Sequence, residues 1–228
     1  MAFYGSGSGI IELGSLISTQ VFTSNGTWTK PTGAAKARII CTGGGGGASG
    51  TPGNNEDDIG GGGSAGGTAI KTIDVTAIST VSVTVGGGGS APSAGSGASG
   101  SDGGTSSFGS HCSATGGGGA PSYNGNSSSY TAAFPSGVGT GGDINIYGGH
   151  GHFPDVNDDQ TQTISGFYGG ASYWGGSGRH SMDDNFTGGN HDSTANDQGG
   201  YGCGGSGSAR GMNGSSGKQG VVVVESYK

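Results

Sequence analysis

The sequence predicts an all-β scaffold carrying a glycine-rich insertion packed as polyglycine-II helices, with essentially no α-helix. Three observations lead there. Glycine supplies 59 of the 228 residues, about a quarter of the chain against the roughly 7% of ordinary proteins. β-Branched runs flank the glycine tracts near both ends of the chain, and no segment keeps a 3.6-residue apolar period. A proline-rich Gly-X-Y repeat is absent, which excludes collagen.

The elements follow in order. Residues Ala35 to Thr42 alternate, with Ala37, Ile39 and Cys41 on one face and Arg38, Ile40 and Thr42 on the other, which predicts a strand. Thr68 to Thr76 and Ser79 to Val85 are free of glycine, and Val81, Val83 and Val85 alternate with Ser82 and Thr84, so the pair reads as a half-buried hairpin. Val221 to Val224 form a β-branched run suited to a central strand buried on both faces. Between these lie the tracts Gly43 to Gly47, Gly60 to Gly63, Gly86 to Gly89 and Gly116 to Gly119, each beside a strand or a short polar loop. The sequence therefore divides into an N-terminal attachment segment (1–20), a β-scaffold (21–120 with 217–228) and a glycine-rich insertion (121–216).

Glycine loses the most backbone entropy on folding, so a stable fold of this composition requires dense backbone hydrogen bonding between closely approaching chains. Polyglycine in the polyproline-II conformation meets that need. It has three residues per turn and no side chains to hold neighbours apart. A flexible Gly/Ser linker is the competing reading of composition alone, but linkers do not alternate so regularly with strands.

Charge and cysteine usage narrow the function. The formal net charge of −7 has the wrong sign for tracking nucleic acid or an anionic membrane. No apolar stretch approaches membrane-spanning length, and Met1 to Gly9 has neither a basic region nor an apolar signal core, so a soluble protein made in the cytosol is expected. On the same ground the Asn-x-Ser/Thr matches at Asn25, Asn126, Asn185 and Asn213 are chance products of composition. Cys41, Cys112 and Cys203 are odd in number and far apart, which predicts three free thiols.

Motifs for catalysis or metal are weak. At this glycine content roughly four GxGxxG and two GxSxG matches arise by chance, so such matches carry almost no information. Asp155, Asn157 and Asp159 open like a calcium loop, but Gln160 and Gly166 stand where its glycine and bidentate glutamate belong. His150 and His152, two apart, could project together from an extended chain. They and the carboxylates of Asp155 and Asp159 are the metal candidates, with a polar binding loop as the alternative. No catalytic residue and no cofactor is indicated.

Aromatics concentrate between Pro121 and Tyr201. Tyr123, Tyr130, Phe134, Tyr147, Phe153, Tyr168, Tyr173, Trp174 and Phe186, with His150, His152 and His180, form the candidate binding set. Aromatic side chains provide large contact area at low conformational cost, and packing between polyglycine helices is the rival role for Trp174. Trp28, by contrast, reads as a core anchor.

Phe22, Gly26, Thr27, Trp28, Pro31 and Gly33 within FTSNGTWTKPTG come first in a series of landmarks. They are followed by ARIICTGGGGG, by GGGGSAGGTAIKTIDVTAISTVSVTVGGGG, by GGTSSFGSHCSATGGGG with Ser107, Phe108 and Gly109, and by GKQGVVVVES. In that order these segments resemble the glycine-rich domain of phage tail-fibre and receptor-recognition proteins, over residues 21–120 and 217–226. More loosely, the insertion resembles the distal adhesins of T-even-like phages, whose polyglycine-II bundle displays variable receptor-binding loops. The resemblance implies a tail-fibre tip adhesin in the virion, made in the host cytoplasm. Its partners would be a host surface receptor, protein or glycan, and other fibre subunits. It implies no nucleic acid, no membrane insertion and one or three copies on the fibre; three copies would bring six imidazoles around one axis. The alternatives from other classes are a structural fibre cap without a ligand, an ice-binding polyglycine bundle, which would favour a regular Thr/Ala face, and a glycan depolymerase.

Overall fold

The computed structural model describes residues 14–51, 60–93, 95–121, 135–152, 168–176, 199–207 and 213–228. It contains strands β1 (Leu16–Phe22), β2 (Gly26–Thr29), β3 (Lys36–Thr42), β4 (Thr68–Asp74) and β5 (Thr80–Thr84). These are followed by β6 (Ser106–Phe108), β7 (Cys112–Ala114), β8 (Gly139–Thr140), β9 (Ile144–Ile146) and β10 (Val221–Tyr227). No helix occurs among the described residues. The strands form two antiparallel five-stranded sheets, in the orders β1-β10-β3-β4-β9 and β2-β5-β6-β7-β8.

The apolar core lies between the sheets. Ala37, Ile39 and Cys41 of β3, Ala69 of β4 and Val222 and Val224 of β10 meet Trp28, Val81, Val83, Phe108, Cys112 and Ala114 of the second sheet. The predicted alternation of β3 holds, and Trp28 is the core anchor, fully buried and edge-on to Phe108 with ring centroids 5.7 Å apart. β10 occupies an interior position between β1 and β3; Val221, Val222 and Val224 are buried and Val223 half-buried. All three cysteines are free and buried. A hydrogen bond with the Cys112 thiol, followed by burial, pushes the Cys41 thiol far above its usual range.

Two expectations change. The segments read as a hairpin are β4 and β5, which do not pair but lie in different sheets. The turn between them is an arch, fixed where the Asp74 carboxylate accepts from both the N–H and the hydroxyl of Thr76 (2.8 and 2.6 Å). The sequence boundaries at 20 and 120 also do not coincide with breaks in hydrogen bonding. β1 begins at Leu16 and pairs with β10, while β8 and β9, from the stretch read as insertion, complete the two sheets.

Beyond the sheets the described residues run to and fro in ten glycine-rich tracts, numbered here in chain order: 43–50, 60–67, 86–90, 100–105, 116–120, 135–138, 148–152, 168–171, 202–207 and 213–220. Their hydrogen bonds define the packing. In tract 1 the N–H groups of Gly44, Gly47 and Gly50 donate to Gly104, Ser101 and Ala98; those of Gly45 and Ala48 donate to Lys218 and Ser215; those of Gly43, Gly46 and Ser49 to Gly67, Ser64 and Gly61. Every third residue thus addresses the same neighbour, the signature of a helix with three residues per turn. Tract 2 repeats it, with Gly62 and Ala65 on tract 7, Gly63 and Gly66 on tract 9, and Ser64 and Gly67 on tract 5 or the residue just before it.

Tract 1 bonds to tracts 2, 3, 4, 5, 9 and 10, and tract 2 to tracts 1, 5, 6, 7, 8 and 9, so each has six neighbours. The remaining eight form a closed ring in sequence order from tract 3 to tract 10, and tract 10 returns to tract 3 through Gly217 to Gly89 and Gly220 to Gly86. All described residues of tracts 1 and 2 are buried. Gly45 shows why glycine is needed: a Cβ there would overlap the Cys203 carbonyl. This is the polyglycine-II packing expected from the glycine content together with the alternation of tracts and strands.

Candidate functional site

Odd-numbered tracts lead away from the sheets and even-numbered tracts return, because each ring neighbour runs antiparallel to the next. Tracts 1 and 2, 3 and 4, 5 and 6, 7 and 8, and 9 and 10 are therefore joined at the end remote from the sheets. At about 3.1 Å per residue, tract 1 sets that end about 25 Å from the end of β3. The connection between tracts 8 and 9 is different in position, since it leaves and re-enters beside the sheets.

This topology distributes the candidate residues. Tyr123, Tyr130 and Phe134 belong to the connection between tracts 5 and 6, and Phe153, Asp155 and Asp159 to that between tracts 7 and 8. His180 and Phe186 belong to the connection between tracts 8 and 9. All eight lie outside the described residues. His152 and Tyr168 face each other at the remote end, where the His152 N–H donates to the Tyr168 carbonyl (2.8 Å) and the rings meet edge-on, 6.4 Å apart. Tyr147, 71% exposed, sits instead at the sheet end, bridged to Val138.

The two histidines do not converge. His150 Nδ1 is 3.1 Å from the Ser136 hydroxyl of tract 6, whereas His152 packs on Tyr168 of tract 8. A threefold helix sends residues two apart in different directions, unlike a strand. Among the described residues no group of three or more His, Cys, Asp or Glu could hold a metal ion.

Tyr173 and Trp174 form a corner at the sheet end. Its centre is Ser172, whose hydroxyl donates to the Tyr201 carbonyl (2.6 Å) and accepts from the Trp174 N–H (3.1 Å). The Ser172 and Gly175 backbones bond to each other, and the buried Cys203 thiol lies 3.1 Å from the Gly175 carbonyl. The Trp174 indole N–H donates to the Thr42 hydroxyl at the end of β3 (2.9 Å), which is itself 2.8 Å from the Thr68 hydroxyl. Trp174 is half-buried and Tyr173 is 45% exposed, with the two rings perpendicular at 5.2 Å. Trp174 is thus tied to the end of β3 while one part of the indole stays open.

Beside this corner runs a groove of about 810 Å³, lined by Trp174, Tyr201, Lys218, Gln219 and glycines that include Gly88 and Gly217. Of these only Trp174 was singled out from the sequence. Tyr201 marked only the end of the aromatic stretch, and Lys218 and Gln219 fall in a segment that reads as scaffold. The alternation of tracts was the one available signal, since it makes tract 10 a neighbour of tract 3.

On this architecture the chain is a two-sheet β-protein extended by a polyglycine-II bundle. It belongs to the glycine-rich domain family, whose sequence model matches residues 19–227. No curated protein matches the chain.

Proposed function

We propose that the chain is the receptor-binding tip of a phage tail fibre, holding a host surface receptor with the loops at the end of the bundle remote from the sheets. The observation that supports it most is topological: the tract ends that flank five of the connections, residues 51 and 60, 90 and 100, 121 and 135, 152 and 168, and 207 and 213, lie at one end of a closed backbone lattice. Loops on such a platform can change side chains without touching the hydrogen bonds that hold it. Aromatic residues at Tyr123, Tyr130, Phe134, Phe153 and Tyr168, with His152, suit a protein epitope or a sugar surface. The reading requires no reaction and no cofactor.

The opposite end then attaches to other fibre subunits. A row of aliphatic side chains crosses the outer face of the first sheet through the pairs Val21–Val223, Val223–Ile40, Ile40–Ile70 and Ile70–Ile144. Val21 and Ile144 at its ends are 57% and 56% exposed while Ile40 and Ile70 between them are buried, so the two ends of the row are the apolar surface that favours contact with another chain.

Exchange of residues 122–134 and 153–167 for those of a relative with another host tests the proposal. Host range should follow the exchanged loops. Adsorption unchanged by the exchange would favour a structural cap. Tyr173→Ala and Trp174→Ala supply the second arm: loss of adsorption with an unchanged far-UV spectrum extends the receptor surface to the sheet end, and unchanged adsorption confines it to the remote end.

A further inference from the structure

We propose that β1 is a pairing edge for a second copy of the chain, so that two molecules join their first sheets into one across a twofold axis. The inference goes beyond the adhesin reading and does not rest on it.

The sheet edges are unequal. Among the described residues, β9 ends the first sheet with three residues, and β2 and β8 end the second with four and two. Lys30 and Pro31 directly follow β2, and Asp143 directly precedes β9. Short, charged or proline-flanked edges are the ordinary defence against pairing with another chain. β1 is built otherwise. It is seven residues long and holds neither proline nor a charge, and its one irregularity is a bulge between Leu16 and Ser18. Leu16, Ile17 and Val21 are 55%, 40% and 57% exposed.

The pairing of β10 tells which backbone groups of β1 point outward. The Tyr227 carbonyl accepts from Ala35, on the β3 side, and the Lys228 N–H donates to Ser15, on the β1 side. Successive residues of an antiparallel strand turn their N–H and C=O to opposite neighbours. Ser226, Val224 and Val222 therefore face β1 and meet Ser18, Gln20 and Phe22. Thr19 and Val21 turn theirs away from β10, and among the described residues no backbone hydrogen bond reaches them.

A second β1 running antiparallel matches these groups. The regular stretch Ser18–Phe22 is centred on Gln20. A twofold axis there sets Thr19 opposite the partner's Val21 and Val21 opposite the partner's Thr19, each pair exchanging two hydrogen bonds with β-branched side chains alongside. An axis on Thr19 would require residue 17, which the bulge throws out of register.

Charge favours a copy at this place. The chain carries a net charge of −7, yet residues 14–29 contain no Asp, Glu, Lys or Arg. Glu225, cross-strand from Thr19, is paired with Arg38 at 3.0 Å. Three strand spacings, about 14 Å, would separate it from the partner's Glu225, beyond the Debye length of about 8 Å at physiological salt.

Sedimentation of the full chain from micromolar to millimolar concentration tests the proposal. The mass should rise from 21.7 kDa toward twice that value and stop there, since an isologous contact closes at two. Thr19→Pro removes only an outward N–H, and Val21→Lys charges the edge. Each should raise the dissociation constant at least about tenfold with an unchanged far-UV spectrum. Gln20→Cys puts two thiols on the axis, with Cα atoms about 4.5 Å apart, within disulfide reach. With oxidised glutathione it should cross-link two chains, and Ser18→Cys should not. A mass that stays at 21.7 kDa, a trimer, association that survives both edge substitutions, or a dimer that Gln20→Cys does not cross-link would overturn the proposal. Host adsorption enters none of these readings, so the adhesin proposal can fail while this one stands.

Discussion

The two ends of the molecule are stable for opposite reasons. The sheet end is held by side chains: fully buried Trp28, Phe108, Ile39, Val222 and Val224 leave water together, and the hydrophobic effect acts on their area. The bundle has almost no side chains to bury. Its inner tracts are buried throughout, yet their contribution is main-chain hydrogen bonds between helices that approach as closely as glycine permits. The comparison teaches that a chain with 29% hydrophobic residues can still have an extensive interior, provided the interior is backbone. It also separates two kinds of vulnerability: loss of volume at one end, gain of volume at the other.

The largest expected effect comes from removing β10. Deletion of residues 221–228 takes out the strand between β1 and β3, so the first sheet is split and its core face exposed. The truncated chain should be insoluble or lose its β-type far-UV spectrum. Next, Trp28→Ala should cost about 3–5 kcal/mol through the cavity it leaves, read as a lower midpoint in chemical denaturation.

Glycine substitution tests the other end. Gly45→Ala forces a Cβ against the Cys203 carbonyl and should cost about 1–3 kcal/mol or more, whereas Gly87→Ala, where a Cβ meets nothing within 4 Å, should stay within about 0.5 kcal/mol. Equal effects of the two would show that the lattice yields freely, and the contrast between the ends would fail. Thr42→Val tests the joint between them. Loss of the acceptor for the Trp174 indole should cost about 1 kcal/mol and make Trp174 more accessible to iodide quenching.

The smallest effect is acid sensitivity at the margin of the first sheet. Asp143 accepts from the Thr72 N–H (2.8 Å), and its other oxygen lies 3.3 Å from Lys71 Nζ. The Thr72 hydrogen bond, followed by the lysine, holds its carboxyl below the ordinary value of 3.8. A depressed folded pKa means that this stabilisation is complete above the ordinary value and is lost as pH falls through the folded one. Asp143→Asn should therefore flatten slightly the fall of the thermal midpoint between about pH 4 and pH 2; an unchanged slope would remove the carboxylate from the account.

Much of the fold was legible in the residues because its signals are local. Alternation in β3, the terminal valines and the regular spacing of glycine tracts each follow from period and propensity. Strand pairing was less legible. The stretch from Thr68 to Val85 looks like a hairpin because its turn is short and glycine-free, but tract 2 returns beside tract 1 and so delivers β4 to β3. His150 and His152 were aligned on a twofold period and the chain there is threefold. Trp174 stands out in the sequence for its place in the aromatic stretch and for its chemistry. Its tie to Thr42, 132 residues away, is a product of the closed ring and has no trace in the neighbouring sequence.

The threefold register of tract 1 has a consequence for inheritance. Losing one codon from an inner tract would turn every later donor by a third of a revolution and present each to the wrong neighbour. Losing three codons would remove one layer and leave all other pairings in phase. The connections at the remote end carry no such arithmetic, since their lengths do not enter the register. Viable variants of this chain should therefore change in multiples of three within the tracts and by any number between them.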